Sequence, residues 1–212
     1  GLELEDQVGL GSAGAHWESR IMLGEYMVSS DIQEMANSDI TLSLFEDSGW
    51  YKVNPYTGGL FRYGKNQGCD FVQKKCILNE KSQFDEFCTV SAEPKCYASH
   101  LTKGICYLFN GMKNIPVNYQ YFSDPTLGGY PPADYCPVAM VNYPQNSYKY
   151  MSNCRVGKEN EALKVYGEKI GEHSACFISS LIEKSQGEGK YPSALCYEVD
   201  KCDNSTKTYV VR

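Results

Sequence analysis

Residues 12–30 read SAGAHWESRIMLGEYMVSS, where a glycine- and alanine-containing loop leads to His16 and Met27 follows eleven positions later. A lone histidine is more often a structural or surface residue than a ligand, and a lone methionine is usually an ordinary core residue. The other two histidines of the chain, His100 and His173, are predicted to be exposed to solvent. The significance of His16 and Met27 therefore depends on what accompanies them in the sequence.

The composition indicates an ordinary globular protein. Of the 212 residues, 42% are hydrophobic and 22% are charged, which is enough for one large or two small domains. The net charge is −6 and lysines and arginines do not cluster, which argues against a nucleic-acid partner. No apolar run approaches the roughly 20 residues of a membrane span, so we expect no such span in this chain. Because the first residue is Gly1 rather than methionine, we expect a processed product or part of a larger protein.

Ten cysteines indicate the cellular compartment. They are dispersed, and no C-x-x-C pair occurs, so the usual signature of zinc ribbons and thioredoxin-like redox sites is missing. Dispersed cysteines of this number predict disulfides formed in an oxidising compartment, although spacing alone does not select their pairing. Asn204 begins the sequon Asn-Ser-Thr, which predicts a glycosylation site of an extracellular protein.

Local signals predict a few regular elements. A helix is expected over about 39–48, with Ser38 or Asn37 as its N-cap and Gly49 just after its end. Its two apolar stripes predict burial on more than one side. A second helical stretch is expected over about 159–184.

A terminal hairpin is predicted from two short strand-like runs. These runs span about 194–199 and 207–211, and they flank a turn at Asp203.

The segment that contains His16 and Met27 has companions along the chain. In order, they are LFEDSGWY at 44–51, NQGC at 66–69, YFSDP at 121–125, DYCPV at 134–138 and CDNSTKTY at 202–209. With residues 12–30, this ordered series resembles the C-terminal portion of the leishmanolysin family, which are surface zinc proteases of the metzincin clan. The resemblance extends over nearly the whole chain.

The resemblance implies roles for the residues around His16. Metzincins bind zinc through two histidines of an H-E-x-x-H helix and a third histidine from a later loop, and the glutamate takes a proton from the metal-bound water. His16 is then the third zinc ligand, and Met27 is the methionine of the turn beneath the metal. Val28, Ser29 and Ser30 would border the pocket for the substrate side chain that follows the scissile bond. Many relatives have a proline soon after the methionine, where this chain has Val28-Ser29-Ser30.

The 212 residues contain no H-E-x-x-H, so this chain alone is not a complete active site. The two helix histidines and the general-base glutamate are expected upstream, in the same precursor, and zinc would be shared with them. The resemblance also implies four disulfides: Cys76–Cys136, Cys88–Cys106, Cys96–Cys176 and Cys154–Cys196. Cys69 and Cys202 would pair with cysteines before Gly1 and beyond Arg212.

We therefore expect an irregular, disulfide-rich α+β fold. Residues 1–73 would end a metzincin catalytic region, and residues 74–212 would form a disulfide-stapled domain. The expected function is the C-terminal portion of a secreted or cell-surface zinc endopeptidase that acts on proteins or peptides. The alternative is a non-catalytic structural or adhesive surface glycoprotein on the same fold. A free-standing cysteine-rich binding module would leave the His16–Met27 pattern unexplained.

Overall fold

A computed structural model of the chain describes residues 2–7, 11–30, 35–54, 61–141, 153–156, 167–179, 193–203, 205–206 and 208–211. The chain divides into two compact units. The first comprises Gly1–Thr89 and Tyr107–Val138, and the second comprises Val90–Cys106 and Ala139–Arg212. Short helices and short antiparallel strands alternate with irregular loops in the described part, which confirms the predicted α+β class.

The described part of the first unit contains three short helices and one small hairpin. Its elements are α1 (Ser19–Met22), α2 (Asp39–Asp47), α3 (Cys69–Gln73), the paired strands β1 (Ile77–Leu78) and β2 (Lys81–Ser82), and two 3₁₀ turns at Val117–Tyr119 and Pro131–Ala133. The longest of these helices has nine residues, so packing between loops contributes much of the unit's core.

Helix α2 begins and ends where its capping residues predict. The Ser38 hydroxyl accepts a hydrogen bond from the Thr41 amide at 3.2 Å, and Gly49 follows the helix with a φ of 71°. The predicted burial on more than one side is wrong. Thr41 is the buried residue of the helix, while Ile40 and Leu44 are 40% and 51% exposed. Periodicity locates apolar stripes but does not report which of them is covered.

Aromatic rings form the centre of the first unit. Tyr63, Phe71, Phe84 and Phe87 lie with ring centroids 5.2–6.4 Å apart. Gly64 permits this packing, because a Cβ added there would lie 2.4 Å from the Phe71 ring. The cluster joins residues on both sides of position 73, so the boundary between the compact units differs from the functional boundary predicted between residues 73 and 74. The functional boundary stays a prediction.

The second unit contains two antiparallel three-stranded sheets. One sheet has the order β3 (Pro94–Cys96), β4 (Lys103–Cys106), β5 (Ala139–Met140), and the other has the order β6 (Ser174–Ser179), β7 (Ser193–Asp203), β8 (Thr208–Val211). The β7–β8 pair confirms the predicted terminal hairpin. Asp203 Oδ1 accepts hydrogen bonds from the Ser205 hydroxyl at 2.5 Å and from the amides of Ser205 and Thr206 at 2.8 and 3.3 Å, and these bonds lower the pKa of Asp203 to about 2.

The helix predicted over 159–184 is wrong where the structure describes that segment. Residues 174–179 form strand β6, which pairs with β7 in register from Ser174–Glu198 to Ser179–Ser193. The strand places Cys176 directly opposite Cys196. Residues 157–166 and 180–192 lie outside the described residues.

Disulfides, rather than an extended hydrophobic core, hold much of the chain together. The structure contains Cys76–Cys136 in the first unit and Cys96–Cys176 and Cys154–Cys196 in the second, and Cys88 and Cys106 are also disulfide-bonded. These are the pairs that the family resemblance implies. In the second unit, Cys154, Cys176 and Cys196 are fully buried and themselves form a hydrophobic cluster with Ala194. Small domains with few buried side chains commonly depend on cystines in this way.

We expect removal of the Cys76–Cys136 disulfide to destabilise the chain strongly. The bond closes a loop with a sequence separation of 60 residues. The double substitution Cys76→Ala and Cys136→Ala should lower the free energy of unfolding by about 4 kcal/mol in the chain-entropy model. Guanidinium denaturation measures the change. The matched control is Cys69→Ala, at an exposed cysteine that is not disulfide-bonded in the described part of the chain, which should change stability by less than about 0.5 kcal/mol. Equal unfolding free energies for the two variants would contradict the prediction.

Candidate metal centre

The structure brings His16 and Met27 together through main-chain contacts. The Trp17 amide donates to the Met27 carbonyl at 2.9 Å, and Trp17 and Val28 form a parallel bridge. His16 Nδ1 lies 3.2 Å from the same Met27 carbonyl oxygen. The ten residues between them thus form a loop that returns beside its own start.

The contact with Met27 determines which nitrogen of His16 can bind a metal. A carbonyl oxygen only accepts hydrogen bonds, so Nδ1 carries the proton. In the neutral imidazole, the lone pair then lies on Nε2. Metal-binding histidines usually donate their other ring N–H to a carbonyl or carboxylate, which fixes the ring and its tautomer. His16 is half-buried, and its contact with the Met27 carbonyl leaves Nε2 as the ring nitrogen with a lone pair.

A second segment supports His16 from the other side. The Glu5 amide donates to the His16 carbonyl at 3.0 Å, and Leu4 and Trp17 form an antiparallel bridge. The Gly14 amide donates in turn to the Glu5 carbonyl at 2.8 Å. His16 thus lies on a short strand between residues 3–6 and the Met27 turn.

Glu25 connects the Met27 turn to helix α2. Its carboxylate is fully buried, and Oε2 accepts a hydrogen bond from the Met27 amide. Oε1 accepts from the Ser38 amide and hydroxyl at 3.0 Å and from the Thr41 hydroxyl at 2.6 Å. The Thr41 hydroxyl also accepts from Trp17 Nε1 at 2.8 Å. One carboxylate therefore holds the methionine turn, the helix cap and the tryptophan beside His16.

Sequence reasoning missed Glu25. Glu25 lies between Gly24 and the exposed Tyr26, so no feature of the sequence marks it as a buried carboxylate that needs several donors.

Burial also affects the acidic residues next to His16. Glu18 is fully buried and caps α1, where Oε1 accepts from the Arg20 amide at 2.8 Å. Burial raises the pKa of Glu18 to about 9. Burial likewise raises the pKa of Asp134 to about 6, although Arg20 Nε lies 3.1 Å from its carboxylate and opposes the shift.

Arg20 is the buried cation of this region. Besides Asp134, its guanidinium donates to the carbonyls of Phe71, Val72 and Lys74, at 3.0–3.4 Å. Arg20 therefore ties α1 to the end of α3, and its donors are largely occupied by those carbonyls and by Asp134.

The predicted pocket residues follow Met27 directly. Val28 is buried, whereas Ser29 and Ser30 are half-buried. The Ser29 hydroxyl donates to Glu5 Oε2 at 2.8 Å, so this hydroxyl is held by the neighbouring segment. The role of the three residues in a substrate pocket stays a prediction.

The remaining predicted residues lie away from His16 in the sequence and at the surface. His100 and His173 are exposed. Cys69 and Cys202 are exposed too, and neither forms a disulfide with another described residue. Asn204 lies outside the described residues.

Comparison with known proteins agrees with these features. The family model described as leishmanolysin matches residues 1–212. The chain belongs to the leishmanolysin family. It is therefore part of a metallopeptidase family. This match confirms the family resemblance inferred from the sequence.

Similar proteins occur in trypanosomatids and in animals. Leishmanolysin of Leishmania tropica is 31% identical over 216 residues, which cover 100% of this chain and 32% of that protein. A leishmanolysin homolog of Crithidia fasciculata is 30% identical over 218 residues, which cover 100% of this chain and 32% of that protein. A leishmanolysin-like peptidase of Drosophila melanogaster is 31% identical over 235 residues, and the match covers 96% of this chain and 34% of that protein. The chain thus spans about a third of the length of these relatives. Within the described residues, no helix has the length and apolar character to cross a membrane.

We expect Glu25→Gln to destabilise the first unit. The amide group would direct its own N–H donors at the Met27 amide or at the Ser38 and Thr41 donors, which leaves a buried donor unpaired. The free energy of unfolding should fall by about 1–3 kcal/mol, measured by denaturation with tryptophan fluorescence as the signal. The control is Glu46→Gln on the exposed side of α2, which should stay within about 0.5 kcal/mol of the unchanged chain. An unchanged unfolding curve for Glu25→Gln would show that the network contributes nothing.

Proposed function

We propose that this chain is the C-terminal portion of a secreted or cell-surface zinc endopeptidase that cleaves proteins or peptides. The observation that carries the proposal is the position of His16. Its Nδ1 donates to the Met27 carbonyl at 3.2 Å, and this contact directs the metal-binding lone pair to Nε2. Membership of a metallopeptidase family supports the same assignment.

In this proposal, the chain supplies one of three protein ligands of zinc. His16 Nε2 binds the metal, the Met27 carbonyl holds the imidazole in its tautomer, and Met27 forms the turn beneath the site. The other two histidines and the general-base glutamate come from the upstream part of the same precursor. When bound, zinc lowers the pKa of a coordinated water to about 7 and polarises the scissile carbonyl.

The substrate side chain that follows the scissile bond would contact Val28, Ser29 and Ser30. Because the Ser29 hydroxyl already donates to Glu5, it is a fixed part of that wall rather than a mobile donor. The proline common in relatives at this turn is replaced here by residues with a backbone N–H, which alters the shape and polarity of the wall.

The proposed compartment is the cell surface or the extracellular space. Disulfides persist in oxidising surroundings and are rare in the cytosol. The four disulfides of the chain and the sequon at Asn204 support this location. Cys69 and Cys202, which are exposed, are proposed to pair with cysteines in other parts of the precursor.

The test is the substitution His16→Ala in the parent protein that contains this chain. We expect hydrolysis of a peptide substrate to fall to background and bound zinc, measured by mass spectrometry of the metal, to fall with it, because two histidines hold zinc weakly. His173→Ala is the matched control, because His173 is exposed and lies in the second unit, and it should retain both zinc and activity.

Two outcomes would contradict the proposal. Full hydrolysis by the His16→Ala protein would exclude His16 as a ligand. A parent that binds no zinc and cleaves no peptide, with its H-E-x-x-H motif degraded, would favour the non-catalytic surface glycoprotein instead.

A further inference from the structure

Three carboxylates meet where residues 3–6 pair with the strand of His16. One oxygen from each of Glu5, Asp6 and Glu18 lies within 4.8 Å of the others. Glu5 and Glu18 are 1% and 0% exposed, while Asp6 is exposed. The cluster therefore has two ligands inside the protein and one at its surface, where an ion could enter.

One carboxylate oxygen of Glu18 accepts no hydrogen bond from a described residue. Its Oε1 caps α1, but the buried Oε2 has no hydrogen-bond partner among the described residues. A buried carboxylate oxygen without a donor is costly, and a second buried carboxylate beside it adds to the cost.

In the described part of the chain, no ion pair joins a cation to Glu5, Asp6 or Glu18. The nearby guanidinium of Arg20 lies 3.1 Å from Asp134 and 3.5 Å from Glu3, and it also donates to three main-chain carbonyls. Among the described residues, Glu5 receives neutral donors, the Gln7 amide at 2.9 Å and the Ser29 hydroxyl at 2.8 Å. Asp6 receives the Gln7 side-chain amide and, at 3.5 Å, the Tyr119 hydroxyl.

We propose that Glu5, Asp6 and Glu18 bind a calcium ion. The site is separate from the zinc ligand His16 and does not depend on the proposed peptidase function. The unpartnered Oε2 of Glu18 supplies a ligand from inside, Glu5 supplies a second and Asp6 closes the site from the surface. Water molecules complete the six to eight oxygen ligands that calcium takes, about 2.3–2.6 Å from the ion.

The ligand chemistry selects calcium among the common divalent cations. The three ligands are all carboxylate oxygens, whereas structural zinc sites use cysteine and histidine. Two oxygens that share one calcium ion lie within about 5 Å of each other, and the three carboxylates meet this condition, since one oxygen of each lies within 4.8 Å of the others. Magnesium usually keeps several waters and is held by one or two carboxylates together with substrate phosphates, rather than by a cage of protein ligands.

Bound calcium would cross-link two segments that the main chain already pairs. Glu5 and Asp6 lie on the segment that donates to the His16 carbonyl, and Glu18 lies two residues after His16, at the N-cap of α1. The ion would therefore fix the first residues of the described chain against the strand of His16, and it would do so whether or not zinc is bound.

Terbium luminescence tests the proposal, because terbium replaces calcium and is sensitised by nearby aromatic rings. Trp17 adjoins Glu18, and the Tyr119 hydroxyl lies 3.5 Å from Asp6. The disulfide-intact 212-residue chain should show aromatic-sensitised terbium emission that calcium displaces at a stoichiometry of one. Magnesium at the same concentration should displace it poorly. Calcium should also raise the melting temperature of the chain, and a chelator should reverse the rise.

Three variants complete the test. Asp6→Asn changes an exposed residue and should weaken calcium binding at least tenfold, which is about 1.4 kcal/mol. Glu18→Gln keeps the oxygen that caps α1 and should abolish binding; if that variant does not fold, Asp6→Asn alone decides. Asp70→Asn is the matched control at another exposed carboxylate of the same unit, and it should bind calcium as the unchanged chain does.

The outcomes separate this proposal from the zinc assignment. His16→Ala should retain calcium binding, so loss of zinc with calcium binding intact leaves the calcium site standing. Absence of calcium binding by the folded chain at millimolar concentration would overturn the proposal, and the buried carboxyls would then share protons instead. Equal binding by the Asp6, Glu18 and Asp70 variants would overturn it too, because it would indicate diffuse attraction to an acidic surface.

Discussion

The buried carboxylate of Glu25 is the interaction on which the first unit depends. It receives the Met27 amide on one oxygen and the donors of Ser38 and Thr41 on the other. Without it, the methionine turn, the start of α2 and the Trp17 side chain would have no common partner. A single charged group with several neutral donors is a stable arrangement in a protein interior, because hydrogen bonds replace the lost hydration.

The rest of the chain shows how a protein with short elements stays folded. Apart from β7 and α2, the described strands have two to six residues and the described helices four or five, and elements this short bury little apolar surface of their own. Cystines and aromatic rings provide the buried contacts instead. Cys154, Cys176 and Cys196 form the centre of one cluster, and four rings around Phe71 form the centre of the other. Local geometry therefore depends on covalent and aromatic contacts more than on regular secondary structure.

The features that the sequence predicts and those that it does not predict differ in their physical origin, which is local in the first case and set by the fold in the second. Capping residues predicted both ends of α2, because Ser38 and Gly49 act within their own turn. The strand at 174–179 was missed, since its short apolar run has no period that separates helix from strand. Glu25 was missed because a buried carboxylate has no spacing signature, and its partners at 38 and 41 are identified only by the fold. The proximity of His16 and Met27 was available through family resemblance and not through either residue alone.

The contact between His16 and Met27 has a consequence for how this site can vary during evolution. The oxygen that fixes the imidazole belongs to the main chain, so every amino acid at position 27 supplies it equally. Orientation of the histidine therefore places no selection on the methionine side chain. If position 27 is restricted to methionine across species, the cause must be the thioether itself: its size, its flexibility or its polarisable sulfur against whatever lies above it.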